Sequence, residues 1–183
     1  FVVSAAAGAV GSIAGQIAKR DGARVIGIAG GPTKVQYLTD VLGFDAAIDY
    51  KNTDVNARLR ELAPDGVNVF FDNVGGPILD AVLDNLAMRA KVVICGAISQ
   101  YDDMDNVTGP SMYLRLAERQ SSMEGFAFFH FPESIAAAGS CRPDTPMSTM
   151  SCLSAGVTSR PLGRGDVATV SRSAGQQVCP GCR

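Results

Sequence analysis

Residues 6–11 read Ala-Ala-Gly-Ala-Val-Gly and follow the pattern G-x-G-x-x-G, with alanine in place of the first glycine. The apolar run over residues 1–7 predicts a strand before this turn, and the periodicity over residues 10–21 predicts a helix after it. Ile13 and Ile17, with two alanines, are expected on one apolar face of that helix. A strand, a glycine-containing turn and a helix in this order are typical of the first unit of a doubly wound fold.

The rest of the chain to residue 131 alternates between short β-rich runs and helical patterns. The other predicted strands cover residues 24–29, 46–50, 67–74, 91–98 and 123–131. The other predicted helices cover residues 32–42, 53–63 with Thr53 as the N-cap, 76–88 and 111–120. Strands that alternate with helices are parallel and joined by crossover helices. The sequence therefore predicts an α/β fold with a doubly wound, parallel, six-stranded Rossmann sheet.

The composition changes sharply towards the end of the chain. Residues 1–138 carry a net charge of −5, whereas residues 139–183 carry +3. The last 45 residues contain no aromatic residue, Ile, Lys or Glu, and they hold four of the five cysteines. A segment of this kind buries too little apolar surface to order itself. We therefore predict a nucleotide-binding domain over residues 1–133 and a low-complexity, irregular or disordered tail over residues 134–183.

Two explanations of this tail stay open. A frameshift near residues 132–140 would produce such a composition from GC-rich coding DNA, and a natural disordered tail is the alternative. The chain also starts on an apolar strand-like run at Phe1. We therefore expect that it begins inside a longer protein.

Several functional classes are disfavoured by charge and patterning. A net charge of −2 and a pI of about 5.3 argue against a nucleic-acid partner. The uncharged run over residues 1–18 is mostly Ala and Gly and follows no basic stretch, so we expect neither a membrane span nor a signal peptide. His130 is the only histidine, and no metal site is predicted. These features favour a cytoplasmic protein.

The turn over residues 6–11 and the end of the second strand together predict a cofactor. Gly8 would allow a pyrophosphate to approach the backbone, and Gly11 would allow the helix to pack closely on the strand. NAD-binding domains usually place Asp or Glu at the end of the second strand. This chain has Gly30-Gly31 there and Lys34 soon after, which favours NADP(H); a solvated surface lysine is the alternative reading of Lys34.

Four segments carry a family resemblance: residues 3–12, 42–45, 71–76, and 95–99 followed by Tyr101. Over residues 1 to about 135 the chain resembles the zinc-independent branch of the medium-chain dehydrogenase/reductase superfamily. Within that branch it is similar to the group of prostaglandin reductase (leukotriene B4 12-hydroxydehydrogenase) and curcumin-reductase-like enzymes. The resemblance implies an NADPH-dependent 2-alkenal/enone reductase that delivers hydride to the β-carbon of an α,β-unsaturated carbonyl.

The resemblance also implies that an N-terminal catalytic domain of the family is missing here. A small-molecule enone or enal would be the substrate of the full-length enzyme, and this fragment is expected to be inactive. A homodimer stays open. The alternatives are a non-catalytic NADP-binding fragment, or the cofactor domain of a quinone reductase or a zinc-type alcohol dehydrogenase.

The family's cofactor contacts carry over to matching positions of this chain. Those at the pyrophosphate are Gly8, Ala9, Val10 and Gly11. Lys34 and Tyr50 match the 2′-phosphate end, and Asn73 matches a contact after strand four. Those in the loop over the cofactor are Cys95, Gly96, Ala97, Ile98 and Ser99, and those near the nicotinamide carboxamide are Phe126, Ala127 and Phe128.

Tyr101 is the one catalytic candidate. A tyrosine hydroxyl can donate a hydrogen bond to the enolate oxygen that develops during hydride transfer. An exposed loop tyrosine without a role is the alternative reading of this residue.

Overall fold

The computed structural model describes residues 1–131, and the predicted tail over residues 134–183 lies outside the described residues. Six parallel strands form one sheet in the order β3-β2-β1-β4-β5-β6. The strands are β1 (Val2–Val3), β2 (Ile26–Ala29), β3 (Ala46–Asp49), β4 (Val67–Asp72), β5 (Leu86–Ile94) and β6 (Ser122–Gly125). This arrangement confirms the predicted doubly wound Rossmann sheet.

Five α-helices connect the strands. They are α1 (Ala9–Arg20), α2 (Pro32–Gln36), which continues as a π-helical segment (Tyr37–Val41), α3 (Val55–Leu62), α4 (Gly76–Leu83) and α5 (Leu114–Glu118). Gly43, with φ +68°, follows the helical segment in the left-handed conformation expected of a terminating glycine. Short 3₁₀ turns lie at Ile98–Gln100, Met104–Asn106 and Phe128–His130.

Apolar side chains are buried in two clusters. The larger cluster joins the strands to α3 and α4; its members include Val2, Ile26, Ile28, Ile48, Leu59, Phe70, Leu79, Val82, Leu83 and Val92. The smaller cluster includes Val3, Ala6, Val25, Ala29, Leu38 and Phe44. Burial of both clusters is the main force that holds the strand ends in place.

The prediction that Ile13 and Ile17 form the buried face of α1 is wrong. Ile13 and Ile17 are 55% and 41% exposed, whereas Gly11 and Gly15 are buried. A Cβ atom at Gly15 would overlap the ring of Phe44, and one at Gly11 would overlap the carbonyl group of Ala5. The helix lies so close to its neighbours that glycine is the residue that fits at these contacts, and the larger side chains point outward.

The boundary between α4 and β5 also differs from the prediction. The helix ends at Leu83 instead of residue 88, and β5 begins at Leu86 instead of residue 91. Residues 86–90 contain no β-branched side chain, which explains the helical expectation. Pairing of Leu86 with Val67 of β4, together with burial of Leu86, overrides this local preference.

Two strand ends and a helix cap are corrected as well. Strand β5 ends at Ile94, where its last partner in β6 is Gly125, so residues 126–131 have no neighbouring strand to pair with and β6 ends there. Helix α3 is capped by Asp54, whose side chain accepts the Ala57 N–H, and not by Thr53. The Thr53 hydroxyl donates instead to the Asp49 carbonyl oxygen at 2.7 Å.

Smaller differences occur at other element ends. Strand β1 is restricted to Val2–Val3, and α5 to Leu114–Glu118. Before α5, the Ser111 hydroxyl and the Met112 N–H both donate to the carboxylate of Asp80 on α4. In residues 1–131 no helix has the length and apolar character needed to cross a membrane. The cytoplasmic location stays a prediction.

Candidate functional site

A cavity of about 510 Å³ lies at the carboxyl ends of β1, β2 and β4. In an open α/β sheet this is the crevice where ligands bind, because neighbouring crossovers leave the sheet in opposite directions there. The residues that line it are Ala5, Ala7, Gly8, Ala29, Gly30, Lys34, Tyr50, Val74, Gly75, Pro77, Ile78, Ile98 and Ser99.

The turn between β1 and α1 forms one wall. Gly8 is the N-cap of α1, and a Cβ atom there would lie 3.1 Å from the Ala5 carbonyl oxygen. Ala9, Val10 and Gly11 form the first turn of this 12-residue helix. The N–H groups of a first turn have no partner within the helix and attract anions. The turn thus places the free N–H groups of a helix N-terminus at one wall of the cavity.

The ends of β2 and β3 form a second wall. The carboxylate of Asp49 accepts the Gly31 N–H at 2.8 Å, and this bond fixes a glycine with φ +92°. The Tyr50 ring lies across Gly30, where a Cβ atom would be 2.9 Å from Tyr50 Cε1. Lys34, one turn into α2, is exposed at the rim of the cavity.

The carboxylate of Asp49 is ionised at neutral pH. Its pKa lies below the usual aspartate range, chiefly because the Gly31 N–H and then the Asn52 amide donate to it. The hydrogen bonds favour the charged form of the group. The second wall therefore carries one fixed negative charge, that of Asp49.

A buried polar cluster fixes the loop after β4. Ser4 and Asp72 are fully buried, and the Ser4 hydroxyl donates to Asp72 Oδ1 at 2.7 Å. The same carboxylate accepts the N–H groups of Val74 and Gly75. Asn73 donates its backbone N–H to Ser4 Oγ and its side-chain amide to the Ser4 carbonyl oxygen, both at 2.8 Å. The ends of β1 and β4 are thereby held together.

The loop after β5 is tied to the loop after β4. The N–H groups of Cys95 and Gly96 donate to the Asp72 carbonyl oxygen, and the Ser99 hydroxyl donates to the Val74 carbonyl oxygen at 2.6 Å. Burial, and then the charge of Asp72, raise the pKa of the Cys95 thiol. Cys95 is therefore a protonated, half-buried side chain at neutral pH.

Tyr101 folds back over this loop. Its hydroxyl oxygen accepts the Ala97 N–H at 3.1 Å, and a Cβ atom at Gly96 would lie 2.8 Å from the same oxygen. The tyrosine is 55% exposed. The Tyr101 hydroxyl can still donate its proton to a further acceptor, since the bond from Ala97 uses only the oxygen.

Only some of the predicted site residues line the cavity. Those that line the cavity are Gly8, Lys34, Tyr50, Ile98 and Ser99, and those adjacent to it are Ala9, Val10, Gly11, Asn73, Gly96, Ala97 and Tyr101. The backbone N–H groups of Cys95 and Gly96 are engaged by the protein itself. Phe126 packs against Phe71 with ring centroids 5.9 Å apart, and neither Phe126 nor Ala127 lines the cavity. Of Phe128 the structure describes the backbone.

Sequence reasoning missed the polar residues that hold the loops. Ser4 and Asp72 are 68 positions apart, and their contact depends on the pairing of β1 with β4. Two features of the sequence could have indicated these residues. Ser4 is a polar residue inside an apolar run, and Asp72 is a carboxylate within residues 70–76. Asp49, at the end of β3, had a comparable signal.

Comparison with known proteins gives a consistent result. The zinc-binding dehydrogenase family matches residues 9–140. A putative NADP-dependent oxidoreductase, YfmJ, of Bacillus subtilis is 52% identical over 132 residues, which are 68% of this chain and 38% of that protein. A 2-alkenal reductase (NADP(+)-dependent) of Nicotiana tabacum is 43% identical over 130 residues, 70% of this chain and 38% of that protein.

A solved structure shares the fold. The crystal structure of CurA from Vibrio vulnificus in complex with NADPH is 41% identical and superposes with a TM-score of 0.67, covering 74% of this chain and 42% of that one. This chain spans about two fifths of the length of the relatives it matches.

Proposed function

This chain belongs to the zinc-binding dehydrogenase family, and we propose that it forms the NADP(H)-binding part of a 2-alkenal/enone reductase. The complete enzyme would reduce the C=C bond of an α,β-unsaturated aldehyde or ketone. The observation that carries the proposal is the cavity at the sheet switch point, with Gly30 and Lys34 where NAD-binding domains usually have a carboxylate. Similarity to a putative NADP-dependent oxidoreductase and to an NADP(+)-dependent 2-alkenal reductase supports the proposal.

The residues of the cavity fit a phosphorylated dinucleotide. Gly8 and the first-turn N–H groups of Ala9, Val10 and Gly11 would hold the pyrophosphate. Because Gly30 has no side chain, the Tyr50 ring can lie across it, 2.9 Å from where a Cβ atom would be. Lys34 would face the 2′-phosphate. Bound NADPH supplies the hydride in reactions of this class.

Tyr101 is the proposed proton or hydrogen-bond donor to the substrate carbonyl. Because its oxygen accepts the Ala97 N–H, the tyrosine is held in one orientation and its own proton is free to be donated. A donor at the carbonyl oxygen stabilises the enolate that develops as the β-carbon is reduced. Asn73 is held by Ser4, which leaves its side-chain oxygen to accept from a cofactor hydroxyl.

Zinc chemistry has no support in this part of the protein. Among residues 1–131, no group of three His, Cys, Asp or Glu side chains could hold a metal ion. The described residues therefore do not fit the zinc named in the family description.

The test is a calorimetric titration of the chain with NADPH and with NADH. We expect NADPH to bind more tightly, and Lys34→Met to weaken NADPH by about tenfold, which is roughly 1.4 kcal/mol, with little change for NADH. Lys91→Met is the matched control, since Lys91 pairs with Glu124 on the far edge of the sheet. Absence of NADPH binding, or tighter binding of NADH, would contradict the proposal.

A further inference from the structure

A second lysine, Lys51, lies against Gly30, which lines the cavity near the proposed position of the 2′-phosphate. A Cβ atom placed on Gly30 would lie 3.0 Å from Lys51 Cε as well as 2.9 Å from Tyr50 Cε1. The stem of Lys51 therefore crosses the same glycine as the Tyr50 ring, and Gly30 lines the cavity. The Lys51 ammonium group is one bond beyond this contact.

The negative charge of Asp49 would oppose phosphate binding unless more than one cation lies nearby. Asp49 Oδ1 accepts the N–H groups of Gly31 and Lys51, at 2.8 and 3.1 Å, and Oδ2 accepts the Asn52 amide at 2.6 Å. The carboxylate thus fixes the turn after β2 that borders the cavity. Its negative charge lies close to where a phosphate dianion would bind, and such a charge repels the phosphate.

The net charge of Lys34, Lys51 and Asp49 decides whether this edge of the cavity attracts a phosphate. Lys34 alone would only neutralise Asp49, so that the edge would carry no net charge. With Lys51 included, the three side chains carry a net charge of +1. A net positive edge is what distinguishes a 2′-phosphate site from one that receives an unmodified ribose.

We propose that Lys51 is a second cation for the 2′-phosphate, and that Gly30 determines cofactor specificity because its lack of a side chain lets Lys51 and Tyr50 lie across the β2 turn. This inference rests on the proposed function, since it assigns a further residue to the same cofactor site. Lys51 acts on the phosphate directly, and Gly30 acts by leaving its neighbours in place.

The experiment compares dissociation constants of NADPH and NADH for the wild-type chain, Lys51→Met, Lys51→Arg and Gly30→Ala. We expect Lys51→Met to weaken NADPH by about fivefold at low salt, with NADH unchanged, because Lys51 is an exposed cation. Lys51→Arg should retain the NADPH affinity, and Gly30→Ala should reduce it. The control is again Lys91→Met, which removes a lysine charge away from the cavity.

Salt provides a second readout. Exposed charges are screened as ionic strength rises, so the difference between wild type and Lys51→Met should shrink between about 0.02 and 0.5 M salt. A substitution that merely disturbed the turn would keep its effect at high salt.

The outcomes separate the two proposals. If the wild-type chain prefers NADPH and Lys51→Met changes neither affinity, this inference is wrong and the proposed function stands. An equal loss of NADPH and NADH affinity would also overturn it, since the phosphate would not be involved. If the wild-type chain shows no preference for NADPH, the proposed function fails first and the inference fails with it.

Discussion

The hydroxyl of Ser4 donates a 2.7 Å hydrogen bond to Asp72 Oδ1, and both side chains are completely buried. Ser4 follows β1 and Asp72 ends β4, so the bond spans the two strands between which the sheet changes direction. The same hydroxyl oxygen accepts the Asn73 N–H. One serine therefore links both strand ends that border the candidate cofactor site.

Ser4→Ala should destabilise the domain by about 1–3 kcal/mol, because the partly buried N–H of Asn73 loses its acceptor and the buried Asp72 loses one of its donors. The measurement is urea-induced unfolding followed by circular dichroism. Ser122→Ala, at an exposed position of β6, is the control and should change stability by less than about 0.5 kcal/mol. Equal stability of both variants would show that the buried cluster contributes nothing.

The contact between Ser4 and Asp72 also shows where sequence reasoning reaches its limit. The alternation of strand and helix patterns was sufficient to predict a six-stranded parallel sheet, since these periodicities are local. The contact joins residues 68 positions apart, and it exists only after β1 and β4 have paired. The predicted residues Gly8, Lys34 and Tyr50 do line the cavity, whereas the residues that hold its loops were not predicted.

Helix α1 shows the same limit in its packing. Periodicity selects large apolar side chains for the buried face, so Ile13 and Ile17 were expected to contribute to the core. The helix instead packs through Gly11 and Gly15, because the Phe44 ring occupies the space a side chain at Gly15 would need. The distance between two elements is a tertiary property and leaves no periodic signal in the sequence.

Gly15→Ala is a direct test of this close contact. Alanine is the better helix former by about 1 kcal/mol, but its methyl group would overlap the Phe44 ring, and overpacking costs about 1–3 kcal/mol. We expect net destabilisation of up to about 2 kcal/mol in urea unfolding. Gly109→Ala, where a Cβ atom would meet nothing within 4 Å, is the matched control.

A second substitution checks the assignment to Phe44. Phe44→Leu removes the ring edge, so the double variant with Gly15→Ala should be more stable than the sum of the two single effects predicts. Strict additivity would show that the alanine is accommodated elsewhere.

Acid should weaken the attachment of α5. Asp84 on the α4–β5 connection accepts hydrogen bonds from Asn56 and Arg60 of α3 and from Arg115 of α5. The Asn56 amide, and then the two arginines, hold the pKa of Asp84 below its usual value. A carboxyl with a lowered pKa in the folded state stabilises that state above its unfolded pKa of about 4. This contribution is lost as pH falls through the lower folded value.

The measurement is the urea midpoint between pH 6 and pH 2 for the wild type, Asp84→Asn and the exposed control Asp65→Asn. Asp84→Asn should be less stable than the wild type at pH 6, and the two curves should converge in acid. The control should follow the wild type throughout. Parallel curves for the wild type and Asp84→Asn would contradict the assigned pKa direction.

The thiol of Cys95 should be slow to react although it lies beside the candidate site. Burial, and then the charge of Asp72, raise the pKa of this cysteine, and the thiolate is the form that attacks thiol reagents. In a variant whose other four cysteines are serine, modification at pH 7.5 by a negatively charged disulfide reagent should be slower than for the same variant in urea. The rate should continue to rise above pH 8.5, the pKa of a free cysteine.

Asp72→Asn is the informative second variant, because removal of the charge should lower the Cys95 pKa and speed the reaction. A rate in the folded protein that equals the rate in urea would mean that neither burial nor Asp72 acts on this thiol.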